Sequence, residues 1–191
     1  RIAEASICYT GDLLDETRDK YTIDYYVKKA KQLEKMGTHI LGIKDMSGLL
    51  KPMAAQKLVT ALKNEISIPV HLHTHDTSGN GVSTVLMASM AGVDIADAAF
   101  NAMSGLTSQP ALNSIVAALE KTERETGLNS KSLQMISDYW NDVRPVYQSF
   151  ESDLLAPSAE IYDNEIPGGQ YSNLKPQVES FELLHQFNEV K

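Results

Sequence analysis

Three histidines stand at alternate positions in one short segment, Val70-His71-Leu72-His73-Thr74-His75-Asp76. Read as a strand, this segment sends alternate side chains to one face. The three imidazoles then face the same way, with neighbouring Cα atoms about 6.5–7 Å apart. Two imidazoles so placed can grip one ion at roughly 2.0–2.1 Å. The plainer reading is one core histidine and two solvated ones. Three in register at a strand end, followed by Asp76-Thr77-Ser78-Gly79, point instead to a metal centre. Strand C-termini are also where α/β enzymes place their sites.

Lys44 closes a second apolar run, His39–Ile43. A lysine there either points into a barrel mouth or snorkels with its head in water. Asp45 either accepts a hydrogen bond from a ligand histidine or caps a turn. Asp94 and Asp97 flank a further apolar run whose small residues, Ala98 and Ala99, could leave room for a ligand. A helix-to-strand turn at Asp94 and tight alanine packing explain them as well. Met103–Pro110 is a polar loop entering a helix, suited to an anion or simply capped by Ser108. Tyr21, Tyr25 and Tyr26 cluster on one helix, with Tyr26 expected in the core and Tyr25 exposed. Cys8 reads as a small buried hydrophobe. No glycine-rich phosphate loop is present.

The elements that must position these residues alternate strand and helix. Ile2–Tyr9 is a strand ended by the turn Thr10-Gly11-Asp12. Ile23, Tyr26, Val27, Ala30, Leu33 and Met36 recur at helical spacing up to Gly37. Pro52 opens a second helix. Ile68–His75 and Gly81–Ala91 form the third pair, Val93–Phe100 and Pro110–Lys121 the fourth. Four such units predict parallel strands lying side by side, with open edges unless something pairs with them. An open doubly wound sheet and half of a (β/α)₈ barrel both fit. From residue 130 the pattern turns helical. Ser132–Phe150 is a long helix broken at Pro145, and Tyr171–Lys191 a last helical region interrupted near Pro176.

Composition excludes several classes. With 191 residues and 42 % hydrophobic content the chain can bury a sizeable core. A net charge of −8 disfavours nucleic-acid polymers. No apolar run reaches the roughly 18 residues of a membrane span, and one cysteine allows no internal disulfide. The chain begins at Arg1, already inside a strand, which predicts a piece of a longer polypeptide.

Ile43-Lys44-Asp45-Met46-Ser47-Gly48-Leu49-Leu50-Lys51-Pro52 and His71-Leu72-His73-Thr74-His75-Asp76-Thr77-Ser78-Gly79 together resemble the carboxyltransferase domain of biotin-dependent pyruvate carboxylases. The resemblance continues through Met103–Pro110, Tyr139-Trp140, Val143-Arg144, Tyr147, Phe150-Glu151 and Glu165–Leu174. It implies an α/β fold: the second half of a (β/α)₈ TIM barrel at residues 1–129, and a helical funnel segment at 130–191. It further implies that Lys44 is carboxylated to a carbamate. That carbamate, His73 and His75 would be ligands of a divalent metal, Mn or Zn, with Lys44 also catalytic; His71 lies outside the ligand pair. An aspartate ligand and the pyruvate-handling residues would precede Arg1, and a proton-shuttling threonine would follow Lys191.

The implied reaction carries CO₂ from carboxybiotin to the enolate of pyruvate, giving oxaloacetate. Biotin on its carrier and ATP would belong to domains outside this chain. The other half of the barrel would be a partner, as would further copies in a homo-oligomer, a tetramer in the family. Some bacterial members bind a cyclic dinucleotide, for which Tyr25 is a candidate stacking platform. The compartment would be the cytoplasm of a bacterium or the mitochondrial matrix of a eukaryote. Oxaloacetate decarboxylase and transcarboxylase subunits are the nearest alternatives. A different alternative is a catalytically incomplete segment that serves only in assembly, with its activity supplied by the parent protein.

Overall fold

The computed structural model describes residues 1–151 and 154–190. Its first two thirds alternate strand and helix in chain order: β1 (Glu4–Cys8), α1 (Ile23–Lys35), β2 (Ile40–Asp45), α2 (Pro52–Glu65), β3 (Val70–Thr74), α3 (Gly81–Met90), β4 (Ile95–Ala96) and α4 (Leu112–Leu119). Then come α5 (Ser130–Val143), a 3₁₀ segment at Arg144–Phe150, and α6 (Ile161–Asn164), α7 (Gly168–Ser180) and α8 (Phe187–Val190).

The helices start and stop for local reasons. Thr22 caps α1 by accepting from the Tyr25 amide. Gly37, at φ +91°, ends it in a conformation that suits glycine. Pro52 opens α2, where its missing N–H is no loss. Asn129 caps α5 by accepting from the Ser132 amide at 2.9 Å. Pro145 ends that helix as expected, leaving only a 3₁₀ continuation.

All strand pairs are parallel and the order is β1-β2-β3-β4. This sequential order decides between the two architectures that the periodicity allowed. A doubly wound sheet reverses direction at a switch point; a barrel adds each strand beside the last. The four units are therefore barrel units of a TIM-type α/β fold. Leu41, Ile43, Val70 and Leu72 are buried under Leu58, Val59, Leu62 and Val85 of the helices. The opposite, inner face carries Glu4, Ser6 and Cys8 of β1, Lys44 of β2, and His71 and His73 of β3, all exposed or half-buried.

Several expectations are corrected. Cys8 is exposed, because its position in β1 alternates onto the open inner face. Tyr25 is half-buried rather than exposed. It packs against the core edge-on to Tyr26 at 5.2 Å and to Tyr21 at 5.3 Å. β4 is shorter than Val93–Phe100: it pairs with β3 only at Ile95 and Ala96, and the chain beyond it turns into a 3₁₀ segment at Asn101–Met103. Helix α4 begins at Leu112, not Pro110, and its N-cap is Ala111, not Ser108. The bridge between Ala99 and Ala111 and the bond from the Leu112 amide to the Ala99 carbonyl (2.8 Å) hold Pro110 and Ala111 extended. Helix α7 runs through the exposed Pro176 rather than breaking there. The expected helical region's last residue, Lys191, lies outside the described residues.

Residues 157–169 dock on the C-terminal ends of the strands. The Ser158 amide donates to Thr77 O at 2.9 Å and the Gly168 amide to Met46 O at 3.0 Å. Ser47 Oγ donates to Glu165 O at 3.3 Å. No described helix is long and apolar enough to cross a membrane.

At the other end of the sheet, Asp94 ties α2 to β3. Its Oδ2 accepts from Lys63 Nζ and from the Val70 amide, each at 2.8 Å. Burial raises its pKa, but the Lys63 and Val70 bonds outweigh this and hold it below the usual carboxylate range. A depressed folded pKa gives stability that is present above the ordinary aspartate pKa and is lost as pH falls through the folded one. Asp94→Ala should therefore cost about 1 kcal/mol at neutral pH and nothing in strong acid. Urea denaturation as a function of pH checks this; a deficit that persists unchanged in acid would contradict it.

Candidate metal centre

Register brings the candidate residues into one row. Cys8 pairs with Lys44, and Lys44 pairs with His73. Past the end of β4, Asp97 continues the row beside His73. His75 lies just beyond β3, on the same face.

The ends of β2 and β3 are held together by Asp45, which is fully buried. Its carboxylate accepts from the Leu49 and Leu50 amides at 2.9 Å each and from Thr74 Oγ1 at 2.7 Å. Burial raises its pKa overall, against the opposing pull of the three donated bonds. Of its two sequence readings, the turn-holding one describes these bonds. Gly48 completes the turn at φ +74°, where a Cβ would lie 2.6 Å from the His75 carbonyl oxygen.

Each ligand candidate has one ring nitrogen already committed. His75 Nδ1 is 2.6 Å from the carbonyl oxygen of Thr107, an acceptor only, so this nitrogen carries the proton. His73 Nδ1 is 2.7 Å from Asp97 Oδ2, which fixes the same tautomer. Both Nε2 atoms then present lone pairs, and they face each other at 3.3 Å. Two lone pairs that close repel unless a proton or a cation sits between them. Two ligands held tetrahedrally around one ion at 2.0–2.1 Å stand about 3.3–3.4 Å apart. The pair thus fits a divalent cation. Lys44 is exposed in the same row, and among the described residues nothing hydrogen-bonds or ion-pairs with its Nζ. Among those residues no three His, Cys, Asp or Glu side chains converge as a metal-holding group. The groups this row presents are two imidazoles and the Lys44 amine.

The sequence reading undervalued Asp97 and His71. Asp97 takes both His71 Nε2, at 3.0 Å, and His73 Nδ1. Burial raises its carboxyl, but these two bonds outweigh it and bring it below the usual range. His71 also meets Glu4 Oε1 at 3.0 Å. Burial alone would lower its pKa; bonds to Asp97 and Glu4 raise it overall. Only the strand register aligns Asp97 with His73, so spacing alone offered no signal for it. Tyr25 is not brought to this row; it lies on α1, against the helical side of the sheet.

Gly48→Ala should destabilise by about 1–3 kcal/mol through its left-handed backbone alone. It should also push the His75 carbonyl and reduce bound metal in the parent protein. Denaturation together with metal content per chain tests this; wild-type values of both would refute it.

The HMGL-like family matches residues 13–139, and a conserved carboxylase domain matches residues 161–191. Pyruvate carboxylase of Bacillus subtilis is 54 % identical over 191 residues, which is all of this chain and 17 % of that protein. The mitochondrial pyruvate carboxylase of Rattus norvegicus is 44 % identical, again over all of this chain and 16 % of that protein. The structure of the carboxyl transferase domain from Rhizobium etli pyruvate carboxylase with pyruvate and biocytin superposes with a TM-score of 0.97 at 52 % identity. It is matched over all of this chain and 32 % of its own. The chain therefore spans about a sixth of the length of these curated relatives. By sequence match and by strand order alike, it belongs to the HMGL-like family and is similar throughout to part of the carboxyltransferase domain of pyruvate carboxylase.

Proposed function

We propose that this chain supplies the metal-holding part of the carboxyltransferase site of a biotin-dependent pyruvate carboxylase. There CO₂ passes from carboxybiotin to the pyruvate enolate, giving oxaloacetate. The observation that carries the reading is the facing Nε2 pair of His73 and His75 in register with Lys44. The complex of the Rhizobium etli domain with pyruvate and biocytin supports the choice of substrates.

Lys44, as its carbamate, with His73 and His75, would hold one divalent cation, Mn or Zn. When bound, that cation supplies Lewis-acid stabilisation of the negative charge that develops as pyruvate loses a methyl proton. Asp97 and the Thr107 carbonyl hold the ring proton of each imidazole at Nδ1 and fix the rings in direction, so that each Nε2 offers its lone pair. Asp45 and Gly48 hold the ends of β2 and β3 at the spacing that lines up Lys44 and His73. Biotin, ATP and the remaining ligands belong to other parts of the parent protein, in the bacterial cytoplasm or the mitochondrial matrix. Residues 1–129 act as barrel and 130–191 as funnel segment. A dinucleotide site at Tyr25 rests on resemblance alone.

Intact mass and metal analysis of the metal-replete parent protein test the proposal. One metal per site and one added CO₂ at Lys44 are expected. Stoichiometric metal and full activity with an unmodified Lys44 would overturn it. Retention of the enolate-forming exchange of pyruvate methyl protons when the histidines are replaced would do the same.

A further inference from the structure

One chain of hydrogen bonds on the inner face runs from β1 to a member of the metal-holding trio, His73. Glu4 Oε1 meets His71 Nδ1 at 3.0 Å. His71 Nε2 meets Asp97 Oδ1 at 3.0 Å, and Asp97 Oδ2 meets His73 Nδ1 at 2.7 Å. The chain starts on β1, crosses to β3, passes through the residue after β4, and returns to β3. Glu4 and His71 are not neighbours in the sheet; β2 lies between them. The crossing is possible because β2 presents Gly42 at that point. A Cβ on Gly42 would lie 2.8 Å from Glu4 Oε1 and closer still to Ser6 Oγ.

We infer that His71 and Glu4 are positioning residues, which hold Asp97 in the one orientation that fixes His73 as a metal ligand. The inference rests on the reading of Lys44, His73 and His75 as ligands. Asp97 lies just past the two-residue β4, and its carboxylate meets His73 at one oxygen and His71 at the other. A carboxylate there, bonded to His73 alone, can rotate about both side-chain torsions. Engaging its second oxygen with His71 removes that freedom. His71 in turn is held at its other nitrogen by Glu4. The ring of His73 is then set at Nδ1, and its Nε2 is aimed at the position that His75 Nε2 also faces. Partners that orient a ligand histidine change metal affinity measurably when lost.

The test uses the full-length parent protein, stripped of metal by a chelator and titrated with Co²⁺. Wild type should bind Co²⁺ at a site that Lys44→Ala removes. His71→Leu should weaken that binding about tenfold and alter the visible Co²⁺ spectrum. Glu4→Ala should shift affinity and spectrum in the same direction. Glu4→Gln should restore both, because its amide oxygen still accepts from His71. Glu4 lies outside the apolar core of the sheet, so its variants open no cavity there and decide the matter even if His71→Leu does not fold. Wild-type affinity and spectrum in Glu4→Ala overturn the inference while leaving the metal centre standing. Co²⁺ uptake unchanged by Lys44→Ala overturns the metal reading itself, and this inference with it.

Discussion

Lys44→Ala in the full-length enzyme is expected to lower carboxyl transfer to pyruvate by about 10³-fold or more, while ATP-dependent carboxylation of biotin continues. On the proposed reading, in which Lys44 is a carbamate, the substitution would remove an anionic ligand and leave the two imidazoles. A lysine in water keeps its proton at neutral pH and does not take up CO₂. An amine beside a cation loses its proton more readily, and the carbamate formed is itself a ligand. Metal and CO₂ should therefore bind cooperatively, each raising the affinity of the other by the same factor. Bicarbonate depletion should weaken metal binding in wild type and leave Lys44→Ala unaffected. Lys44→Arg should be as inactive as the alanine variant, because a guanidinium stays charged and forms no carbamate. Separate assays of the two half-reactions check this. A Lys44→Arg protein with near-normal oxaloacetate formation would remove the carbamate from the mechanism.

Asp45→Ala should be the most destabilising single substitution near the site. The carboxylate has no exposure and three donors aimed at it. Removing it strands two amides and a hydroxyl, each left unsatisfied at about 1–3 kcal/mol. Relief of the carboxylate's own burial offsets part of this, so the net loss should be about 3–5 kcal/mol. That is a large fraction of a typical domain's stability. Asp45→Asn should recover only part of it, since an amide NH₂ would face groups that also donate. Denaturant titration of the three proteins tests this. A loss below about 0.5 kcal/mol for Asp45→Ala would show that the turn finds other acceptors.

Several particular features were legible in the residues. His71, His73 and His75 alternate, and a strand has a period of two, so their common face followed from spacing alone. Helix α1 was readable because its apolar positions repeat at helical spacing between Thr22 and Gly37. Pro145 ended α5 as its ring requires. The errors fall where a distant partner decides. Cys8 is an apolar-looking residue in an apolar run, yet its side chain alternates to the face that the helices do not cover. Pro176 remains inside α7, where a proline by itself signals a break.

The residue types and their periods by themselves determined four strand-helix units, the face that the histidines share, and the end of the sheet where chemistry sits. These are local properties, set by backbone sterics and by which side chains avoid water. Tertiary structure decided the rest. Sequential strand order chose the barrel-type sheet over the doubly wound one. Parallel register placed Lys44 beside His73 across 29 residues of chain. It also brought Asp97 and Glu4 to the histidines from two other strands. Hydrogen bonds between strands are alike at every residue, so the bonds cannot encode which residue stands opposite which. That choice comes from burying one whole face of the sheet under α1 to α4, and it exists only once the units have packed.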